Sequence, residues 1–350
     1  MNQTASIQNP TGKVPSEIEW PSVAIAIPTF NSERHIQRCL SSIFAQDYPG
    51  RIEVVVADDG SRDRTLEIAN RFPVKILKVN LKNPEKAKLA AYKDSTGEVF
   101  FYLDDDNALT SSTWLREMVY PLVEDPMIVG SFTHFTADKR DFAIVRYLSY
   151  DKAQRDPFLA YFSAGIEETF IEKRTQYMLC RFTTNRMPPV GLVLYRRKTI
   201  ERIFELVRID ENRVFDIDLT ASFVMNGLQT FAYVPIGVRH SHADDIGTLI
   251  RKRITHVKRG YLLSYPNRKF VWFATTDRHS VKRMIQWILL TNLILPLAIS
   301  GFRKYLKQRD PVFLLEPLVG LVLTDASLFA FLTEPRGREL ISEGFSTLIH

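Results

Sequence analysis

Cysteine is nearly absent: Cys39 and Cys180 are the only two in 350 residues, far apart and without a Cys-x-x-Cys pair. That spacing excludes a disulfide framework and a thiolate zinc site, leaves both as packing residues and favours a reducing, cytosolic setting. Neither Gly-x-Gly-x-x-Gly nor Gly-x-x-x-x-Gly-Lys occurs among the 15 glycines, which excludes the usual dinucleotide and P-loop phosphate cradles. The N-terminus lacks a basic start followed by an apolar run, so it does not read as a secretory signal; residues 1–22 read as a loose polar arm. There is no internal repeat. Lys and Arg crowd after residue 250 around a bare aliphatic run between Arg283 and Arg303, without the stacking aromatics a nucleic-acid groove needs. Anionic membrane lipid, and no nucleic acid, is the expected partner of that charge.

What is present is an α/β rhythm, and 350 residues suffice for one large domain and an appendage. From Val23, short β-branched runs alternate with helix-period segments, the pattern of a mainly parallel sheet covered by helices. Strands are expected at Val23 to Ile27, Ile52 to Ala57, Val74 to Val79, Val99 to Leu103, Met127 to Phe132, Val190 to Tyr195 and Thr230 to Val234. Helices are expected at Glu33 to Ala45, Thr65 to Phe72, from Asn83-Pro84 to Ala91, after a Ser111 or Ser112 cap, and at Lys198 to Leu206 and Asp216 to Met225. Phe142 to Phe182 mixes aromatic and charged residues without a clean period and reads as helices without definite limits. Arg196-Arg197-Lys198 reads as a solvated helix start.

In open α/β sheets ligands bind beyond the carboxyl ends of the strands. Acidic clusters stand there: Asp58-Asp59-Gly60-Ser61, Asp104-Asp105-Asp106-Asn107 and, opening a helix, Asp216-Ile217-Asp218. The first is also what a tight turn uses. Adjacent carboxylates about 4 Å apart repel by on the order of 4 kcal/mol at an effective dielectric near 20, and a cation removes that cost. If the strand stays extended, Asp104 and Asp106 share one side and Asp105 the other, giving a hard-oxygen pair suited to Mg²⁺ or Mn²⁺ bridged by a diphosphate.

These residues resemble the GT-A glycosyltransferases of family 2 over roughly Val23 to His242. The resemblance rests on Ala26-Ile27-Pro28-Thr29-Phe30-Asn31, on Asp58-Asp59-Gly60-Ser61 with Asp63 and Thr65, and on Asp104 to Asp106 with Trp114-Leu115. It continues in Asp216-Ile217-Asp218-Leu219, Gly227 and Tyr233-Val234-Pro235. It implies a metal-dependent, inverting transfer from a nucleotide-sugar donor. Pro28, Thr29, Phe30 and Asn31 with Asp58, Asp59, Asp104 and Asp105 would hold the donor. Asp104 and Asp106, with His240 or His242, would hold the metal, and Asp216 or Asp218 would be the general base. Many relatives carry a glycine and an arginine where this chain has Asn83 to Lys88, so Lys86 or Lys88 takes the phosphate-facing role; Phe215 stands where relatives place an acid. Without Gln-x-x-Arg-Trp, a processive polysaccharide synthase is not indicated. A sugar-phosphate nucleotidyltransferase would need a glycine-rich, arginine-bearing first loop, absent here; a non-catalytic nucleotide-binding scaffold would not need the acids.

Residues 23–245 thus read as the catalytic domain, 246–280 as a basic amphipathic connector and 281–350 as a membrane-associated helical region. Met284 to Phe302 holds no charged side chain but is interrupted by Gln286, Asn292 and Pro296, while Val312 to Leu332 carries Glu316, Pro317 and Asp325. Two re-entrant or in-plane helices fit both better than two spans. Ile246 to Leu263 would lie on anionic headgroups through Lys252, Arg253 and Arg259. The expectation is an enzyme at the cytoplasmic face of the cell membrane, with a glycan or a polyprenyl or other lipid-linked acceptor.

Overall fold

The computed structural model of the protein describes residues 19–208, 210–211, 214–215, 217–240 and 245–349. Asp216, His242 and most of the N-terminal arm lie outside the described residues. The main sheet has nine strands in the order β3 (Lys75–Lys78), β2 (Ile52–Asp58), β1 (Val23–Thr29), β4 (Val99–Tyr102), β10 (Val193–Arg196), β6 (Gly130–Phe132), β11 (Thr230–Tyr233), β9 (Met178–Arg181) and β8 (Phe170–Lys173). All run one way except β9 and β10. A smaller sheet sets β12 (Val238–His240) antiparallel to β5 (Asn107–Leu109) and parallel to β7 (Phe135–Thr136). This is the mainly parallel α/β fold expected from the alternating pattern, followed by a C-terminal helical region.

The two-residue period of a strand divides the core. Val23, Ile25 and Ile27 of β1 face one layer, with the helices Ile36–Phe44 and Trp114–Glu124; Ala24 and Ala26 face the other, with Pro84–Lys93 and Ile217–Met225. Covered on both faces, β1 is apolar and buried throughout, as strands of parallel sheets are. Asn83 caps its helix as expected, its side chain accepting from the Glu85 and Lys86 amides. The helix after β5 instead begins beyond Thr113, with no side-chain cap from Ser111 or Ser112.

Two further expectations fail for physical reasons. The segment Phe142 to Phe182 holds two short helices, Ala143–Ser149 and Pro157–Phe162, but also β8 and β9, which pair at the sheet edge where one face is exposed and the apolar pattern weak. Arg196 and Arg197 are not a solvated helix start. The Arg196 guanidinium gathers the carbonyls of Leu122, Asp125 and Ile128 at the end of a neighbouring helix, while Arg197 stacks 4.3 Å over Tyr92 and donates to Gly97.

After Asp245 the chain is helical. Arg278–Asn292 and Leu295–Gln308 meet at a 74° bend, because Pro296 prevents one continuous helix and Ile294 takes a left-handed φ of 60°. Pro311–Thr333 is long and apolar enough to cross a membrane by length and composition, with 44% of it buried in the protein. Its Glu316 is buried and accepts from Ser300 and Lys304 at 2.6 Å each, so the carboxylate locks this helix to the preceding one. Arg253, expected at lipid headgroups, instead turns inward to an ion pair with the buried Asp156, while Arg251, Lys252 and Arg259 remain exposed.

Candidate active site

Strand ends bring the site together. The loop after β1 is stapled to the loop after β2. The Asn31 amide donates to Ser61 Oγ (2.9 Å), Asn31 Oδ1 accepts from the Arg62 amide (2.9 Å), and the Ser32 amide donates to Thr65 Oγ1 (2.7 Å). Asn31 does this at a φ of 52°, a left-handed conformation that asparagine tolerates better than most residues. Asp58 is buried and accepts from the Gly60 and Ser61 amides at 3.2 Å, so its carboxylate shapes a turn; Gly60, at φ 92°, supplies the reversal. Asp59 accepts from the Leu81 amide at 2.6 Å. Phe30, 60% exposed beside this cradle, offers an aromatic face on which a nucleobase can stack.

The Asp104–Asp106 stretch does not continue β4. The strand stops at Tyr102 and the chain turns at Asp105 and Asp106, the Asn107 amide donating to the Asp104 carbonyl (3.0 Å) before β5 begins. The expected alternation of sides is therefore lost, and each carboxylate meets a different element. Asp105 turns inward to accept from Thr29 Oγ1 at 2.7 Å. Burial pushes its carboxyl up to about 6, with Asp106 and Asp104 adding to the rise and the Thr29 and Ser32 hydroxyls opposing it. Asp104 lies 3.3 Å from Lys88 Nζ, which also pairs with Glu85 at 2.9 Å and sits 4.5 Å over the Tyr102 ring. Burial would lower the Lys88 ammonium, but Asp104 and Glu85 raise it above its ordinary value and keep it charged. Lys86, half-buried on the same helix, is not brought to the acids by any contact described.

Asp106 faces β12. Register places His240 opposite Asn107, and His240 Nε2 lies 3.5 Å from Asp106 Oδ2. The other ring nitrogen, Nδ1, is 3.1 Å from Gln154 Oε1, and Phe135 packs on the ring at 4.8 Å. Arg38 donates to the Asp106 carbonyl at 3.0 Å. Sequence reasoning missed Gln154, Arg38 and Ser32. Gln154 stands at φ 49° in the segment without a period, so no local pattern announced it.

Among the described residues, no three His, Cys, Asp or Glu side chains form a ready cation cage. The donors nevertheless suit a divalent cation held partly by phosphate: Asp104 is half exposed, and Asp106 faces an imidazole nitrogen across 3.5 Å. Asp218, in the first turn of its helix, is buried and accepts from the Phe270 amide at 3.0 Å, which ties the connector to the catalytic domain. Cys39, buried beneath the acids, has its thiol pushed well above the usual range by burial and by the neighbouring aspartates and is no nucleophile.

The pattern that defines glycosyl transferase family 2 matches residues 24–204, more than half of the chain. An N-acetylglucosaminyltransferase of Bradyrhizobium sp. (strain ANU 289) is 36% identical over 105 residues, 27% of this chain and 68% of that protein. Glycosyltransferase AglE of Haloferax volcanii is 31% identical over 142 residues, 38% of this chain and 46% of that protein. Poly(ribitol-phosphate) beta-N-acetylglucosaminyltransferase TarS of Staphylococcus aureus is matched over only 17% of its length. The solved structure of S. aureus TarS 1-349 in complex with UDP-GlcNAc overlaps 94% of this chain and 89% of its own, at 16% identity and a TM-score of 0.48. The chain belongs to glycosyl transferase family 2.

Proposed function

We propose that this protein is an inverting glycosyltransferase that moves a sugar from a nucleoside-diphosphate sugar to a hydroxyl or phosphate acceptor, lipid-linked and presented at the cytoplasmic face of the membrane. The observation that carries the reading is the gathering of β1, the helix Pro84–Lys93 and β12 on one acidic turn, through Thr29–Asp105, Lys88–Asp104 and His240–Asp106. A binding scaffold has no need of three adjacent carboxylates in three separate environments.

In this reading Phe30 and the stapled loops hold the nucleoside, Lys88 sets the charge of the phosphate end through Asp104, and Asp104, Asp106 and His240 would hold Mg²⁺ or Mn²⁺. When bound, the cation neutralises charge on the departing diphosphate. The acceptor proton needs a carboxylate within about 3 Å. Asp216 is assigned that role, because the Asp218 carboxylate is already engaged by the Phe270 amide. The relatives' names support UDP-N-acetylglucosamine as the first donor to test. The lipid-linked acceptor is supported by the exposed Leu289, Leu293, Leu295 and Phe302 of the bent helix pair.

The test is nucleoside diphosphate release from a panel of sugar nucleotides with Mg²⁺ or Mn²⁺, comparing wild type, Asp106→Ala, Asp216→Asn and Asp218→Asn. Loss in the first two is expected. Full activity in both, or activity untouched by a chelator, would sink the assignment, and loss only in Asp218→Asn would move the base.

A further inference from the structure

A cavity of about 280 Å³ lies among the C-terminal helices, and of its lining residues all but Phe158 are beyond the family match. Its wall is hydrocarbon, with Phe158, Tyr261, Trp272, Ile288, Phe331 and Phe345 among the residues that line it. The aliphatic hydroxyls on its lining residues are already spent. Thr275 donates to Glu343 (2.8 Å), Thr324 to the Gly320 carbonyl (2.7 Å) and Ser327 to the Leu323 carbonyl (2.7 Å). The space is larger than the roughly 150 Å³ apolar void that stays dry and admits benzene, and a wall made almost wholly of hydrocarbon favours a hydrocarbon over a polar guest.

Its position argues for one kind of hydrocarbon. Leu332 and Phe345 line it and are each 58% exposed, so it is continuous with the apolar outer faces of these helices. The region that supplies most of its wall is cationic overall. Residues 246–350 carry sixteen Lys and Arg against seven Asp and Glu, a net +9, whereas the preceding 245 residues carry −3 of the chain's +6. The cavity is also wired to the candidate active site by two short stretches of chain. Phe158, in its wall, is four residues from Gln154, the partner of His240, a reach of at most about 14 Å. Trp272, in its wall, is two residues from Phe270, whose amide binds Asp218.

We propose that this cavity seats the hydrocarbon chain of an anionic, lipid-linked acceptor, placing its polar head toward Asp106 and Asp218. The proposal deepens, and rests on, the acceptor reading above. It commits the occupant to a single alkyl or isoprenyl chain attached to an ionised head.

The test uses the full chain and a brominated chain, 12-bromododecanoic acid below its micellar concentration, as a short-range quencher of tryptophan. Saturable quenching is expected in wild type and most of it should vanish in Trp272→Phe. Farnesyl phosphate should compete, and inorganic phosphate should not. Gly344→Leu and Ser327→Phe fill the cavity and should weaken binding at least tenfold. A Cβ at Gly344 meets Val281 at an ordinary 3.6 Å, so that variant has room to fold. Equal quenching in wild type and Trp272→Phe would overturn the proposal without reliance on any filling variant. So would full affinity in folded Gly344→Leu and Ser327→Phe, or competition by phosphate alone. Binding of farnesyl phosphate without its glycosylation by any donor would overturn the acceptor reading and leave the cavity assignment in place. Glycosylation without Trp272 quenching would do the reverse.

Discussion

The catalytic α/β domain and the C-terminal helices solve opposite problems. In the domain, large apolar residues are buried in two layers about the sheet, and charge converges at one rim, where Asp104, Asp105 and Asp106 crowd a single turn. In the helices, charge is spread and positive, while Leu293, Leu295 and Ile349 stand 65% or more exposed. Crowded charge in the first region and exposed hydrocarbon in the second are each costly in water. The difference teaches where ligands are to be sought: a cation and a diphosphate at the first, a lipid at the second.

The largest effect expected on the charged side comes from Lys88→Met. It strips the shared cation from Glu85 and Asp104, and breaking a buried pair by removing one partner costs on the order of 3 kcal/mol. Thermal or urea unfolding should report this, with donor binding lost as well. A variant as stable as wild type would show that the acids do not depend on this lysine.

Asp105→Asn should act in the opposite direction. The folded carboxyl is raised to about 6 from an ordinary 3.8, so its contribution is fully present below about pH 4 and is lost as pH rises through 6. At pH 7.5, with a chelator present, the ionised wild type is penalised by up to about 3 kcal/mol, which asparagine relieves while still accepting from Thr29. Unfolding free energies of the two proteins should coincide near pH 4 and separate above pH 6. A constant gap across that range would remove charge crowding as the cause.

How much of this was legible depends on whether the information is local. The βα alternation from Val23 to Phe132 could be read because each strand is a continuous buried run and each long helix repeats its apolar face. The acidic turn at Asp104 to Asp106 could be picked out as a cluster because it follows a strand end. The partners at the site could not. Asp105 is met by Thr29, 76 residues away, and His240 by Gln154, 86 residues away. The basic residues were legible as a tract but not one by one, since Arg253 pairs inward with Asp156 while its neighbours point out.

Gln154→Ala probes such a distant partner. The side chain acts on His240 Nδ1 and fixes how Nε2 is presented to Asp106. Groups that orient a metal-ligating imidazole typically contribute about 10 to 100-fold in metal affinity. Titration of Mn²⁺ followed by its paramagnetic resonance should show that loss, with unfolding free energy nearly unchanged. Unaltered Mn²⁺ affinity would exclude His240, held by Gln154, from the metal site.

The smallest change in stability, and the sharpest contrast between the regions, is expected from Leu293→Ser with Leu295→Ser. These side chains are 68% and 65% exposed at the bend between two helices, so little packing is lost and unfolding free energy should move by no more than about 0.5 kcal/mol. On a membrane the same side chains would bury apolar area worth about 1.5 kcal/mol or more each. Flotation with anionic liposomes should then fall about tenfold for each residue changed. The same pair of substitutions placed in β1, at Ile25 and Ile27, would destroy the fold and report nothing about lipid. If the tail variants float as wild type does, the exposed row at the bend is not the membrane contact, and the positive charge of Arg251, Lys252 and Arg259 becomes the feature to neutralise next.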